Sequence, residues 1–483
     1  MSDRGLWSVA AMAAAMRASP TGPLPAAIRG LSIDSRSIEQ GQAFFAIQGE
    51  NRDGHDFVAA ALERGAALAV VAQEKQGAMP PDAPLLLVPD VLAGLRDLAS
   101  AARVRARARI VAVTGSVGKT GTKDALRLVL AGEGETHASV ASYNNHWGVP
   151  LSLARLPESA HFAIFEIGMN HAGEIAPLTR LVRPHVAIIT AVEPVHLEFF
   201  DSVEAIADAK AEIFLGLEPD GAAVINRDSP LYARLERAAR AAGAGAGTTV
   251  SFGEHPQADA RLVNLSLQPD GSSVHANILG SDVVYKIGAP GRHFVLNSLA
   301  VLAAAVLLGA DLAISALALA ALEPPRGRGQ RIALETPSGA ALLIDESYNA
   351  NPASMRAALA LLGQAPSGRR GRRIAVLGDM LELGPGAAEF HDQLVEPIVS
   401  QAIDLVFCAG PLMRTLWERL PPERRGGYAE TSAALEAEVL ANVRGGDVIM
   451  VKGSLGSRMG PIVQALTRRF PPQEAAAPAA AQG

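Results

Sequence analysis

The stretch Ile110-Val-Ala-Val-Thr-Gly-Ser-Val-Gly-Lys-Thr120 constrains this chain more than any other. An apolar run of strand character feeds directly into a glycine-punctuated turn that ends in Lys-Thr and opens a helix. Gly115 and Gly118 free the backbone to turn N–H groups inward, where they can hold phosphate oxygens, and the helix N-terminus adds a favourable dipole. In that geometry Lys119 reaches a β/γ-phosphate and the Thr120 hydroxyl can ligate Mg²⁺. The strict spacing G-x-x-x-x-G-K-[ST] asks for glycine at position 113, where this chain has Val113, so the loop departs from the pattern once. A strand, phosphate loop and helix in succession predict a parallel α/β sheet around a nucleotide.

The 483 residues leave room for three domains at ~150 residues each. Apolar runs and turn residues between Leu31 and Val88, among them Gln42-Ala-Phe-Phe-Ala-Ile47 and Gly49-Glu-Asn-Arg-Asp-Gly54, read as a small α/β domain over residues 1–105. The runs Ile110–Val113, Phe162–Phe165, Val186–Thr190 and Ala222–Ile225, with helices between them, predict a central parallel sheet over 106–325. A Pro/Gly/Arg cluster, Glu323-Pro-Pro-Arg-Gly-Arg-Gly-Gln330, marks a second boundary, after which a Rossmann-like strand–helix alternation occupies 326–470. The low-complexity residues 471–483 are expected to be disordered.

A net charge of −6 argues against general nucleic-acid binding. The basic runs Arg103–Arg109 and Arg369–Arg373 are expected to be solvated boundary or loop segments. Cys408, the single cysteine, lies in the apolar run Leu405-Val-Phe-Cys408 and reads as a buried strand thiol in a reducing compartment. Trp7–Met16 lacks the net positive lead of a signal peptide and reads as an amphipathic helix. The richest apolar window, Phe294–Leu322, is Ala-dominated and interrupted by Asn297 and Asp311, so no membrane span is expected and the protein is read as cytoplasmic.

Ligands of open α/β sheets collect beyond the carboxyl ends of strands. There the chain places the phosphate loop after Val113, Glu166 after Phe165, a loop carrying His196 after Thr190, Asp345-Glu346 after Ile344, Gly378-Asp379 after Leu377 and Lys452-Gly-Ser454 after Val451. Glu166 reads as a Mg²⁺ ligand or as a strand-end surface acid; His196 as a ligand of a second metal or as a structural histidine. Asp201-Ser-Val-Glu204 reads as a helix start with Asp201 as N-cap and Glu204 at the third position. Lys210 then falls on the apolar face with Val203, Ile206 and Phe214. An inward lysine either snorkels or, beside divalent metal, needs conversion by CO₂ into a carbamate that can act as a ligand.

The loop Thr114–Thr120, together with Glu166-Ile-Gly-Met-Asn-His-Ala-Gly-Glu-Ile175, Asp345-Glu-Ser-Tyr-Asn-Ala-Asn-Pro352 and Leu377-Gly-Asp-Met-Leu-Glu-Leu-Gly384, resembles the Mur ligases, and its branch that adds D-Ala-D-Ala in particular. The likeness runs from Trp7 to Ser454. It implies an ATP-dependent carboxylate–amine ligase of peptidoglycan synthesis that joins D-Ala-D-Ala to UDP-MurNAc-tripeptide through an acyl phosphate, acting as a monomer without nucleic acid. It further implies that Thr114, Gly115, Ser116, Val117, Gly118, Lys119, Thr120, Asn297, Arg328 and Asp345 bind ATP. Two Mg²⁺ ions would be held by Thr120, Glu166, His196 and carbamylated Lys210, with Lys119, Lys210, His196, Glu166 and Arg328 carrying catalysis. Substrate contacts are implied for Ser32, Asp34, Ser35, Arg36, Gly49, Asp53 and His55 in the first domain. Asn144 and Asn145 are implied to face metal and acceptor, and Tyr348, Asn349, Asn351, Lys452 and Ser454 to contact substrate from the third domain. Gly121, Trp147, Phe199 and Asp201 depart from the family pattern without removing a presumed ligand.

Overall fold

A computed structural model describes residues 5–49, 51–140, 143–194, 197–243, 249–268 and 271–472. Besides a two-stranded pairing of Trp7–Ser8 with Ala27–Ile28, three larger sheets succeed one another along the described residues. The first has five strands in the order Ser19–Thr21, Leu85–Val88, Leu68–Ala72, Gln42–Phe45 and Gly30–Ser32, parallel except for the first pair. Its central strand, Leu-Ala-Val-Val-Ala, is buried throughout, as expected where both faces of a parallel sheet are covered.

The central sheet has nine strands. From Thr136–Ala138 at one edge it passes through Phe162–Glu166, Arg109–Thr114, Val186–Ile189, Ala222–Asn226 and Thr249–Gly253, all parallel, and then through Ala260–Gln268, Gly271–Ile278 and Ser281–Ile287. The last three form an antiparallel meander, so the expected parallel sheet is in fact mixed. Many side chains of Ala260–Gln268 face solvent, which left the sequence without a clear apolar run there. Helices Lys119–Ala131 and Arg292–Leu307 cover one face and share an apolar core with it. The strand Arg109–Thr114 lies between Phe162–Glu166 and Val186–Ile189, where the chain runs outward to either side; this switch point opens a crevice for ligand.

The third sheet runs Gln330–Thr336, Gly339–Glu346, Val448–Lys452, Arg373–Gly378, Leu405–Ala409 and Arg425–Ala429, parallel after its first pair. Cys408 is fully buried in it, and burial pushes its thiol pKa up. No helix among the described residues is long and apolar enough to cross a membrane.

Four expectations need correction. The helix Val203–Ala211 is capped by Ser202, whose hydroxyl accepts the Ala205 N–H, rather than by Asp201; a serine with extended backbone fits that role equally well. The run Arg103–Arg109 is only partly solvated. Arg103 is buried and donates to the carbonyls of Val182 and Arg183 and to Glu218 at 2.7 Å. Arg105 lies 3.4 Å over the Trp7 ring and donates to Leu6 and Leu156. Arg372, in the second basic run, pairs with buried Asp447 at 2.7 Å. Finally, structure persists to residue 472: the Glu335 N–H donates to the Pro471 carbonyl, and Pro472 bridges to Leu334. The rest of the expected tail, 473–483, lies outside the described residues.

Candidate active site

The phosphate loop begins one residue after the strand Arg109–Thr114 ends. Val113 is fully buried inside that strand, in register with Glu166 and Ile188, so glycine is not needed there and the turn is made by later residues. Gly115 has φ +150°, and a Cβ on it would lie 2.0 Å from Thr190 Oγ1; Gly118 has φ +86°, and a Cβ would lie 2.6 Å from Asn297 Nδ2. Both positions therefore require glycine for backbone conformation and for close approach. The Lys119 ammonium folds back to donate to the Gly115 carbonyl at 2.6 Å. Burial lowers its pKa, Glu166 opposes that, and the Arg328 charge adds to it. A loop that gathers two cations is prepared for an anion.

Glu166 ends its strand fully buried, which rules out the surface-acid alternative. Its carboxylate accepts from the Thr120 hydroxyl at 2.9 Å and from Asn144 Nδ2 at 2.8 Å. Glu166 and Thr120 thus present hard oxygen donors at one point, a chemistry suited to Mg²⁺. Lys210 is buried on the inward side of its helix, with no hydrogen-bond or ion-pair partner among the described residues. Burial, reinforced by the charge of Lys119, drives its pKa well below the usual value. A snorkelling lysine extends to open solvent; this side chain is almost wholly buried. Among the described residues no three His, Cys, Asp or Glu side chains cluster as a metal site, and His196 lies outside the described residues.

A cavity of about 330 Å³ lies between the central and third sheets, lined by Gly118, Asn297 and Phe294 on one side and by Arg328, Glu346 and Lys452 on the other. A second, of about 160 Å³, adjoins Lys119 and Ser116 and is closed by Asn349, Leu381, Ser454 and Leu455. Of the residues expected from sequence, Ser116, Val117, Gly118, Lys119, Asn297, Arg328, Asn349, Asn351, Lys452 and Ser454 line these two cavities. The Asp345 carboxylate accepts from Ser347 N and Oγ and from the Gly327 N–H, so it holds the inter-domain linker, while its neighbour Glu346 lines the larger cavity and pairs with Lys452 at 3.1 Å. Asn351 caps the helix Pro352–Gln364 through a reciprocal pair of bonds with Ser354. Asn145 accepts the Gly148 N–H, leaving Asn144 as the one of the pair that reaches Glu166. Tyr348 lies beneath Arg328, 4.3 Å from ring centroid to guanidinium carbon.

In the first domain Asp34 makes a two-pronged pair with Arg36, Ser32 bonds the Asp34 backbone, and Arg64 donates to the Ser35 and Arg36 carbonyls. Burial raises the Asp53 pKa, but bonds from the His55 backbone and ring and from Lys75 outweigh it and bring it down to about 2. His55 accepts the Ala72 N–H, and Gly49 closes the same small loop on Arg52. Arg155 donates to the Leu31 carbonyl at 2.8 Å, which sets this cluster beside the segment carrying Asn144.

Two participants escaped the sequence reading. The Thr190 hydroxyl donates to the Val117 and Thr114 carbonyls, and Glu193 exchanges backbone bonds with the Ser116 hydroxyl while lining the larger cavity. Thr190 follows an apolar strand, a position where polar residues met the site elsewhere, and that was the available signal.

Family models cover the chain in three consecutive segments: the Mur ligase family catalytic domain at 27–103, the Mur ligase middle domain at 113–305 and the Mur ligase glutamate ligase domain at 327–455. A UDP-N-acetylmuramoyl-tripeptide–D-alanyl-D-alanine ligase of Bacillus subtilis is 34% identical over 444 residues, spanning 91% of this chain and 93% of the relative. Its namesake in Rickettsia prowazekii is 32% identical over 435 residues, spanning 90% and 94%. The chain belongs to the Mur ligase family. Among solved Mur ligases, MurF from Acinetobacter baumannii superposes with a TM-score of 0.80 at 28% identity, covering 96% of this chain and 99% of that one. MurF from Thermotoga maritima in complex with ADP gives 0.74 at 25% identity, covering 91% and 97%.

Proposed function

We infer that this Mur ligase is a cytoplasmic ATP-dependent carboxylate–amine ligase that joins D-alanyl-D-alanine to UDP-MurNAc-tripeptide, giving the UDP-MurNAc-pentapeptide of peptidoglycan synthesis. One observation carries the reading: Lys119 of the central domain, whose charge is felt by the Thr120-bonded Glu166, and Arg328 and Lys452 of the third line adjoining cavities. A switch or simple NTPase has no need of the second cavity. We take the domains as 1–105 for the UDP-sugar peptide, 106–325 for ATP and 326–470 for the incoming amine.

A carboxylate does not acylate an amine unaided, because its oxygen is a poor leaving group. In the proposed reaction a tripeptide carboxylate oxygen attacks the γ-phosphorus of ATP and ADP departs. Lys119 and Arg328 bear the charge that accumulates on the transferring phosphoryl oxygens, with the loop amides orienting the phosphates. The amine of D-Ala-D-Ala then adds to the acyl carbonyl, and the tetrahedral adduct expels inorganic phosphate. Thr120, Glu166, His196 and Lys210 are the residues that would hold two Mg²⁺ ions, which when bound neutralise phosphate charge. Lys210 fits that company only as a carbamate. Burial, with the charge of Lys119 beside it, lowers its pKa well below the ordinary lysine value and so favours the neutral amine, the form that attacks CO₂, forming an N–C bond and releasing one proton.

The test is phosphate release from ATP with UDP-MurNAc-tripeptide, with and without D-Ala-D-Ala, and the product followed by mass. Release that needs both and yields a pentapeptide supports the reading. Release indifferent to both, or requiring a different amine, overturns it.

A further inference from the structure

Leu381 and Leu455 are large apolar side chains, 39% and 66% exposed, at the mouth of the smaller cavity. They come from separate loops, and the fold explains why they meet. Leu381 follows the strand Arg373–Gly378 and Leu455 follows Val448–Lys452; these strands are adjacent and parallel, so their carboxyl ends deliver both loops to one place. Ser454 ties the loops together, accepting the Leu381 N–H at 3.0 Å and donating to the Ala350 carbonyl at 3.3 Å. A Cβ on Gly456 would stand 2.7 Å from Leu381 Cδ1. The apolar surface is held rigidly, faces a cleft and is uncovered, a combination that marks a ligand contact rather than an incidental surface leucine.

The location fixes which ligand. The two cavities share Ser116, Asn349 and Asn351, but Asn297 and Phe294 line only the larger and Lys119 lines only the smaller. The smaller cavity is therefore at the phosphate end, beside the group that becomes the acyl phosphate. At about 160 Å³ it falls below the ~300 Å³ of ordinary ligand pockets, which suits a dipeptide with methyl side chains and excludes a nucleotide.

Resting on the activity proposed above, we propose that Leu381 and Leu455 clasp the methyl groups of the incoming D-alanyl-D-alanine and set the limit on side-chain size in the acceptor. Leu381→Ala and Leu455→Ala remove exposed side chains, so thermal melting is expected to stay at the wild-type value. The KM for D-Ala-D-Ala rises about tenfold, as for the loss of apolar contact in a substrate pocket, while the KM values for ATP and UDP-MurNAc-tripeptide stay within about twofold. Relative kcat/KM for a dipeptide bearing D-valine in place of one alanine, measured against D-Ala-D-Ala, rises about tenfold in the same variants. An unchanged KM and selectivity for the dipeptide, or a rise confined to the UDP-linked substrate, overturns the inference while leaving the activity intact. A wild-type protein that makes no pentapeptide from D-Ala-D-Ala sinks the underlying reading instead.

Discussion

At the residue scale the decisive group is Lys210, an ammonium without an anion in the interior. Burying a cation without a partner costs stability unless the group gives up its proton. Its folded pKa lies below the ordinary 10.5, so folding releases a proton and the wild-type protein gains stability as pH rises from the folded value toward 10.5. Lys210→Met is therefore expected to stabilise metal-free, CO₂-depleted protein at pH 7 by on the order of 1 kcal/mol, seen as a higher melting temperature. The gain should shrink toward pH 10, and ligase turnover should fall on the order of 10²-fold or more. Melting curves across pH and a phosphate-release assay check both halves; a fully active variant without added carboxylate removes the carbamate role. Asp53 is the converse case, a carboxylate brought down to about 2 by His55 and Lys75. The stability it contributes is present above about pH 4 and is lost as pH falls toward 2. Asp53→Asn should consequently destabilise at pH 7 and have no effect near pH 2, as denaturant midpoints at the two pH values will show.

At the element scale, the strand–loop–helix unit shows how much of the site could be read from sequence. Gly115, Gly118, Lys119 and Thr120 were legible because each satisfies a local requirement: positive φ, phosphate reach or a hydroxyl at a helix start. Glu166 and Lys210 were legible from position, one at a strand end and the other on an apolar helix face. The local bonds of Asp345, Asn145 and Asn351 were not legible, because a short polar side chain serves its own backbone as readily as a ligand: Asp345 holds Gly327 and Ser347, Asn145 accepts from Gly148, and Asn351 caps its helix while also lining both cavities. The antiparallel meander was missed because one of its strands faces water along much of its length. Thr190 could be seen only once two strands 76 residues apart were neighbours: its hydroxyl donates to the Thr114 and Val117 carbonyls. Thr190→Val keeps the volume and takes the hydroxyl donor from the Val117 carbonyl, at a cost of about 1–3 kcal/mol, while the Thr114 carbonyl keeps the Thr190 backbone N–H. The loop it supports should slacken, and the KM for ATP should rise about tenfold with the KM for D-Ala-D-Ala unmoved. Steady-state kinetics with each substrate varied in turn decides this.

At the scale of the whole molecule, the larger cavity exists only because the third domain is brought against the central one, so the linker is part of the site. Its conformation is closely specified. The Arg328 N–H donates to Pro325, the Gly329 N–H to the Asp345 carbonyl, and the Gly327 N–H to the Asp345 carboxylate, while the Tyr348 N–H returns a bond to Gly327. Gly327 and Gly329 sit at φ +70° and +101°. The linker is thus fastened to the end of the strand Gly339–Glu346, so any displacement of the third domain relative to the central one would carry Arg328 with it. Loop positions of this kind change kcat and KM together when altered. A Cβ on Gly327 would stand 2.8 Å from Tyr348 Cβ, and the left-handed backbone adds strain of about 1–3 kcal/mol for a non-glycine residue. Gly327→Ala should therefore displace Arg328 and Tyr348 as a pair, lowering kcat and raising the KM for ATP together. The KM for UDP-MurNAc-tripeptide should stay at its wild-type value, because the first-domain cluster around Ser32, Asp34 and Arg36 is anchored to the central domain through Arg155 and the Leu31 carbonyl, independently of the linker. Small-angle scattering gives a second readout. If the linker governs closure, the wild-type protein contracts on adding a non-hydrolysable ATP analogue and the variant contracts less; equal contraction with unchanged kinetics would show that closure depends on the cavity walls and not on residues 325–329.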